Sequence, residues 1–102
     1  ASVKKVLVDE KLLQYMAEVV HQTRHDKSIY LGASPRASIA LLNGSRAFAA
    51  IQGRDFVTPE DVKYIAPSVL KHRIMLTPEK EMEGATAHGV IDQLVAKIDV
   101  PR

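Results

Sequence analysis

Apolar residues recur at helical spacing in four stretches of this chain, with polar residues between them. The first stretch predicts a helix that is capped by Asp9, runs to about Thr23 and buries one stripe, formed by Leu12, Leu13, Met16, Val19 and Val20. The fourth predicts a helix that is capped by Thr86, ends before Pro101 and buries Val90, Ile91, Leu94, Val95 and Ile98.

The second stretch predicts one continuous helix that starts at Pro35 and is ended by Gly53. Its apolar face combines steps of four and three, in Ala37, Leu41, Gly44, Phe48 and Ile51. Asn43-Gly44 also fits a turn, but the stripe continues in phase on both sides of it. Because glycine costs a helix about 1 kcal/mol relative to alanine, Gly44 indicates the close approach of another helix.

The third helix is predicted to start at Thr58-Pro59-Glu60-Asp61, which joins a capping hydroxyl, a first-turn proline and two carboxylates at the favourable end of the dipole. Its core-facing positions are Val62, Ile65, Ala66 and Val69. Proline in a helix interior removes a backbone donor, so Pro67 is expected to break or kink the helix near Ala66 into two short pieces.

The remaining segments are predicted to be connections. Residues 24–33 form a polar connector, and Glu79 to Glu83 an acidic loop. The short apolar runs 56–57 and 74–76 are predicted to pair as a minimal two-stranded ribbon. The predicted fold class is therefore all-α, a small bundle of about four main helices closed by short loops.

Length and charge limit the function. A chain of 102 residues holds one domain and is too short to include a nucleotide-hydrolysing α/β domain as well, and none of its five glycines begins a phosphate-binding P-loop. The net charge of +2 comes from interspersed residues, so nucleic-acid binding is not expected. No cysteine and no apolar run near the ~20 residues of a membrane span are present, which favours a soluble, cytoplasmic protein without a membrane partner.

The segment Gly32-Ala-Ser-Pro-Arg36 carries the strongest functional signal. Ser34 is a suitable helix cap and Pro35 fits a first turn. Arg36 is then predicted at the second helical position, where the dipole disfavours a cation by about 0.3–1 kcal/mol. An anion bound by the free N–H groups and the guanidinium would offset this cost, as in a phosphate site, but pairing with a nearby carboxylate also explains the residue.

Three blocks in order carry a resemblance to a known family: 31–42 around Ser34-Pro35-Arg36, 53–63 around Thr58-Pro59-Glu60, and 66–74. In composition and spacing they resemble the C-terminal lid domain of MoxR-family AAA+ ATPases. The likeness covers most of residues 9–101. It implies that 9–102 form the lid and that 1–8 are a lead, or hinge, from an ATPase core outside this chain.

The resemblance also implies function. Arg36 matches the sensor-2 arginine, which assists ATP hydrolysis, and Ser34, Pro35 and Arg36 together form the expected nucleotide contact. ATP and Mg²⁺ are the implied cofactors of the intact protein, whereas the fragment alone is expected to be inactive. The implied partners are the core domain, neighbouring subunits of a hexameric ring, and proteins with von Willebrand factor A domains, in a chaperone-like remodelling ATPase.

Other chemistries have weaker support. His21 and His25 stand one helical turn apart beside Asp26, but no third ligand is evident, so no metal site is predicted. Ser34 and Ser38 lack the partners of a nucleophile, which argues against a small enzyme. Thr58-Pro59-Glu60 after a long helix also resembles the histone-like fold, so a free-standing helical interaction module remains the alternative.

Overall fold

The computed structural model describes residues 6–100, which form five helices and two short strands. In chain order these are α1 (Glu10–Thr23), β1 (Ile29–Leu31), α2 (Ala37–Ile51), α3 (Pro59–Leu70), β2 (Met75–Leu76), α4 (Pro78–Met82) and α5 (Ala87–Lys97). Helix α3 packs against α2 and α5, and α1 packs against the same two helices. The predicted small helical bundle is confirmed. Within residues 6–100, no helix has the length and apolar content needed to cross a bilayer.

The first and last helices follow their sequence patterns. Asp9 caps α1 by accepting the Lys11 N–H at 2.8 Å, and Thr86 caps α5 by accepting the Gly89 N–H at 3.0 Å. The predicted apolar positions are buried, except that Ile98 is only partly buried and Leu13 is 42% exposed. Leu13 lies about 160° around the helix from the buried Tyr15, so a buried face that includes Tyr15 leaves Leu13 at its edge. Tyr15, which was not among the predicted core positions, is 4% exposed and belongs to the core.

Helix α2 is continuous through Asn43-Gly44, as predicted, and Gly53 follows its end with φ 78°. Its buried face runs in steps of four: Ala37, Leu41, Ser45 and Ala49. Phe48 is only half-buried and Ile51 is 80% exposed, so the predicted stripe was wrong at its C-terminal end. A β-carbon on Gly44 would lie 3.0 Å from Cγ2 of Ile65 in α3, which confirms the close approach of a second helix.

Pro67 does not divide the third helix. Helix α3 runs without interruption through it, and the Lys71 N–H donates to the Pro67 carbonyl at 3.0 Å. The missing donor costs one hydrogen bond. Packing outweighs this loss because α3 is held between α2 and α5, with Ala66 and Leu70 fully buried.

A two-stranded ribbon exists, but it joins different segments from those predicted. Strand β1 pairs antiparallel with β2, with Ile29 opposite Leu76 and Leu31 opposite Met75. The partner of 74–76 therefore lies inside the connector 24–33, whose β-branched and aromatic run Ile29–Leu31 suits a strand. Phe56 forms an isolated parallel bridge with Leu7 instead.

The acidic segment contains the short helix α4 rather than only a loop. Thr77 caps it by accepting the Lys80 N–H at 3.3 Å, and Pro78 occupies the first turn. No residue of α4 is buried. Its formation reflects the local signal Thr77-Pro78-Glu79, the same residue types that begin α3 at residues 58–60.

The predicted hinge over residues 1–8 is only partly covered, because residues 1–5 lie outside the described residues. Val6 is 2% exposed and belongs to the hydrophobic core. The Leu7 N–H donates to the backbone carbonyl of Asp55 at 2.8 Å, and the Val57 N–H donates to the backbone carbonyl of Leu7 at 3.0 Å. Residues 6–8 are thus attached to the bundle, and the position of a hinge stays a prediction.

Candidate functional site

The segment Gly32–Arg36 reaches α2 differently from what was predicted. Helix α2 begins at Ala37 rather than at Pro35, and Arg36 stands at the cap position with φ −66° and ψ −18°. Ser34 is not a cap, because its hydroxyl has no hydrogen bond within residues 6–100. A tight turn explains the difference: the Ala37 N–H donates to the Ser34 carbonyl at 2.9 Å, and the Ile39 N–H to the Arg36 carbonyl at 3.0 Å.

This turn changes which groups can bind an anion. The N–H groups of Ala37, Ser38 and Ile39 already donate to backbone carbonyls. Of the N–H groups at this helix start, that leaves the N–H of Arg36 for a bound anion. Ser34, Pro35 and Arg36 are all exposed. The Arg36 guanidinium has no carboxylate partner in the described part of the chain. Recognition of an anion here would therefore depend on the side chain of Arg36 more than on the helix N-terminus.

Thr23, the last residue of α1, holds the Gly32–Arg36 segment through a hydrogen bond to Ala33. Its side chain is fully buried, and its Oγ1 donates to the Val20 carbonyl at 2.6 Å while accepting the Ala33 N–H at 3.0 Å. Sequence reasoning missed this residue. The available signal was a threonine that extends the buried stripe of α1 by a step of four from Val19.

Gly32 lets the loop lie directly on the end of α1. A β-carbon at Gly32 would stand 2.7 Å from the Cα of Arg24 and 2.7 Å from the carbonyl oxygen of Thr23. Both are backbone atoms, which cannot turn away as a flexible side chain would. The glycine in the Gly-Ala-Ser-Pro-Arg segment is therefore required for a close approach.

A groove of about 320 Å³ lies between α1 and the start of α2. Its lining consists of Ala17, Val20, His21, Arg24, Pro35 and Ser38. Its ionisable side chains are the two basic ones, His21 and Arg24. The rings of His21 and His25 are 4.5 Å apart between centroids, but residues 6–100 contain no group of three potential metal ligands.

Arg54 differs from Arg36 in being fully engaged. Its guanidinium binds both carboxylate oxygens of Asp61, each at 2.6 Å, and Asp61 also accepts the Thr58 N–H at 2.8 Å. Burial by itself would raise the pKa of Asp61, but these hydrogen bonds and the charge of Arg54 outweigh it and hold the pKa below its ordinary value. Arg54 is a structural residue, and its guanidinium is not available to a phosphate.

Comparison with known proteins decides the family. The AAA lid domain profile matches residues 21–94, a range that includes Thr23, the Gly32–Arg36 segment and α3. This chain belongs to the AAA lid domain family. The assignment favours the predicted lid over the free-standing histone-like module.

The relatives agree with the MoxR resemblance. The chain is 40% identical to the uncharacterized protein YeaC of Bacillus subtilis over 97% of its length, and 32% identical to the chaperone MoxR1 of Mycobacterium tuberculosis over 93%. It superposes with a TM-score of 0.88 and 35% identity on the crystal structure of a candidate ATPase from Cytophaga hutchinsonii, over 98% of this chain. The lid is thus of the MoxR type. The chain spans 31%, 28% and 33% of these three proteins, respectively.

Proposed function

We propose that Arg36 is the sensor-2 arginine of this lid and that it contacts the phosphates of an ATP molecule held chiefly by a separate core domain. The observation that carries the proposal is an exposed guanidinium without a carboxylate partner in residues 6–100, on a segment fixed to α1. A guanidinium suits a phosphate because its planar fork matches the phosphate oxygens.

The neighbouring residues have smaller roles in the proposal. Pro35 lines the groove that carries Arg24 and His21, so the surface beside Arg36 has positive character. Ser34 is exposed and its hydroxyl is unused by the helix, so it is free to donate to a phosphate oxygen. Mg²⁺ prefers oxygen ligands and would be bound by the core and the nucleotide, since the Gly32–Arg36 segment has no carboxylate.

The mechanism follows from electrostatics and geometry. Arg36 adds a charge-assisted hydrogen bond from the lid to the terminal phosphate, and it stabilises the negative charge that develops there during hydrolysis. Once that phosphate has left, the contact is lost and the lid is free to change its angle to the core. Arg36 thereby couples the state of the nucleotide to the orientation of the bundle.

The wider setting is also part of the proposal. We expect the intact protein to be a cytoplasmic, ring-forming, chaperone-like ATPase, with the lid in contact with its own core and with neighbouring subunits. One relative is named a chaperone and a structural neighbour is described as a candidate ATPase, which supports this class. A hexameric ring and client proteins with von Willebrand factor A domains follow from the MoxR resemblance.

The experiment replaces Arg36 in the intact ATPase. Arg36→Ala should lower kcat by about 10–100-fold, the equivalent of one charge-assisted hydrogen bond made in the transition state, with a smaller effect on ADP affinity. Arg36→Lys should recover part of the rate because it restores the charge but not the fork. Arg73→Ala, at another exposed arginine, is the matched control and should leave the rate unchanged. Unchanged turnover in a folded Arg36→Ala protein would contradict the proposal.

A further inference from the structure

Among residues 6–100, Thr23 and Ser45 are each 0% exposed, and their hydroxyls are used differently. Ser45 lies on the inner face of α2, and its Oγ has no hydrogen-bond partner. Thr23 has two partners, one within α1 and one across the loop at Ala33. The Thr23 hydroxyl therefore joins two parts of the chain that are ten residues apart, whereas the Ser45 hydroxyl joins nothing.

The loop depends on this link because Ala33 is itself fully buried. Without Thr23, the Ala33 N–H would lose its acceptor in a place that water does not reach, which is costly for a backbone donor. Gly32, the residue before Ala33, lies so close to the backbone of Thr23 and Arg24 that a β-carbon there would be 2.7 Å from each, so the loop is fixed at two consecutive residues.

The fixed point lies three residues before Arg36. Between them stand Ser34 and Pro35, and the proline ring restricts φ to about −65°. The turn closed by the Ala37 N–H and the Ser34 carbonyl then fixes the direction of α2. Little backbone freedom therefore remains between Ala33 and Arg36.

We infer that Thr23 is a positioning residue for Arg36: its buried hydroxyl holds the Gly32–Arg36 segment on α1, so that the guanidinium moves with the helical bundle as one body. The inference rests on the proposed function of Arg36. A charge-assisted contact to a phosphate depends strongly on placement, and a displacement of about 1 Å can cost a catalytic contact about 100-fold in rate.

The test is a double-mutant cycle in the intact ATPase. Thr23→Val keeps the shape of the side chain and removes both hydrogen bonds, whereas Thr23→Ser keeps the hydroxyl. Each is measured with Arg36 present and in the Arg36→Ala background, for kcat and for the KM of ATP. Ser45→Ala removes a fully buried hydroxyl that has no hydrogen-bond partner and is the matched control. If Thr23→Val does not fold, Thr23→Ala replaces it.

With Arg36 present, Thr23→Val should lower kcat by about tenfold and change the KM of ATP by less than about threefold. In the Arg36→Ala background, the same substitution should change kcat by less than about twofold. Thr23→Ser and Ser45→Ala should stay within about twofold of the parent rate. Hydrogen exchange read by mass spectrometry should be faster in the peptide that contains Ala33 for Thr23→Val, and unchanged for Ser45→Ala.

Two outcomes would overturn the inference about Thr23 and leave the proposed function of Arg36 in place. In both of them, Arg36→Ala lowers turnover. In one, Thr23→Val keeps the parent rate. In the other, it lowers the rate equally in both backgrounds, which would make Thr23 a general support of the fold. If Arg36→Ala itself keeps full turnover, the proposed function fails, and the positioning role falls with it.

Discussion

Helices α2 and α3 begin with similar sequences and are built differently. Ser34-Pro35-Arg36 precedes α2, and Thr58-Pro59-Glu60 begins α3, so each start places a hydroxyl, a proline and a charged residue in the same order. At α3 the Thr58 hydroxyl accepts the Asp61 N–H, and the Asp61 carboxylate accepts the Thr58 N–H, which completes a capping box. At α2 the fourth position is Ala37, which has no side-chain acceptor to complete a box.

The two starts also differ in what holds them. The α3 start is stabilised by residues near in sequence, with Arg54 bound to Asp61 from seven residues away. The α2 start is held from α1, by Thr23 through Ala33 and by the close packing of Gly32. With the start held from a distance, the Ser34 hydroxyl and the Arg36 guanidinium have no partner within residues 6–100. This is the arrangement that a binding residue needs, because groups committed to the fold cannot also meet a ligand.

A glycine precedes each of the two helix starts, Gly32 before α2 and Gly53 before α3, and we expect their replacement to have different costs. Gly32→Ala should lower the free energy of unfolding by about 3 kcal/mol, because the new methyl would meet backbone atoms at 2.7 Å. Gly53→Ala should cost about 1–2 kcal/mol, since Gly53 has φ 78° but no atom within 4 Å of the added carbon. Urea unfolding of the two variants measures both values. Equal losses would show that close packing against α1 does not set the α2 start.

The α3 start is organised by the charge of Asp61, which Asp61→Asn removes. At pH 7, Asp61→Asn should lower the free energy of unfolding by about 2 kcal/mol, because Arg54 and the Thr58 N–H lose a charged acceptor. Asp92→Asn, at an exposed aspartate of α5, is the matched control and should change little. A loss in Asp61→Asn no larger than that of the control would mean that the ion pair adds nothing to stability.

The stability difference between the parent protein and Asp61→Asn is expected to depend on pH. The pKa of Asp61 is lower in the folded protein than its ordinary value of 3.8, so the unfolded chain takes up a proton first as pH falls. The contribution of Asp61 is complete above that ordinary value and is lost as pH falls through the lowered pKa of the folded state. Unfolding curves from pH 7 to pH 2 should converge for the parent and Asp61→Asn. A constant gap between them would contradict the assignment.

These differences explain how far the sequence predicted the structure. The capped starts at Asp9, Thr58 and Thr86 were predicted correctly because a cap is a local interaction between residues two or three apart. The errors at Pro67 and in the partner of β2 concern interactions between distant elements, which periodicity does not specify. Only three-dimensional packing decides them.

In the candidate site, too, local signals were visible in the sequence and contacts between distant residues were not. Arg36 was predicted to contact a nucleotide because an arginine beside a helix start conflicts with the dipole and because it matches the MoxR resemblance, both visible in the sequence, and its role stays a prediction. Thr23 and Gly32 were not assigned a role, since their importance comes from contacts across ten and nine residues. The predicted capping role of Ser34 was wrong because the loop, fixed at Ala33, enters α2 through a tight turn.

The smallest expected effect concerns the hydroxyls of Thr58 and Ser34, which occupy matching positions before the two helices. Thr58→Ala should lower the free energy of unfolding by about 1 kcal/mol, the usual value of a helix cap. Ser34→Ala should change it by less than about 0.3 kcal/mol, because the Ser34 hydroxyl makes no hydrogen bond within residues 6–100 and is exposed. Paired urea unfolding curves resolve this difference. A loss of about 1 kcal/mol in Ser34→Ala would show that the serine caps α2 in solution. The two starts would then be alike, and the absence of a local cap could no longer mark the α2 start as the functional one.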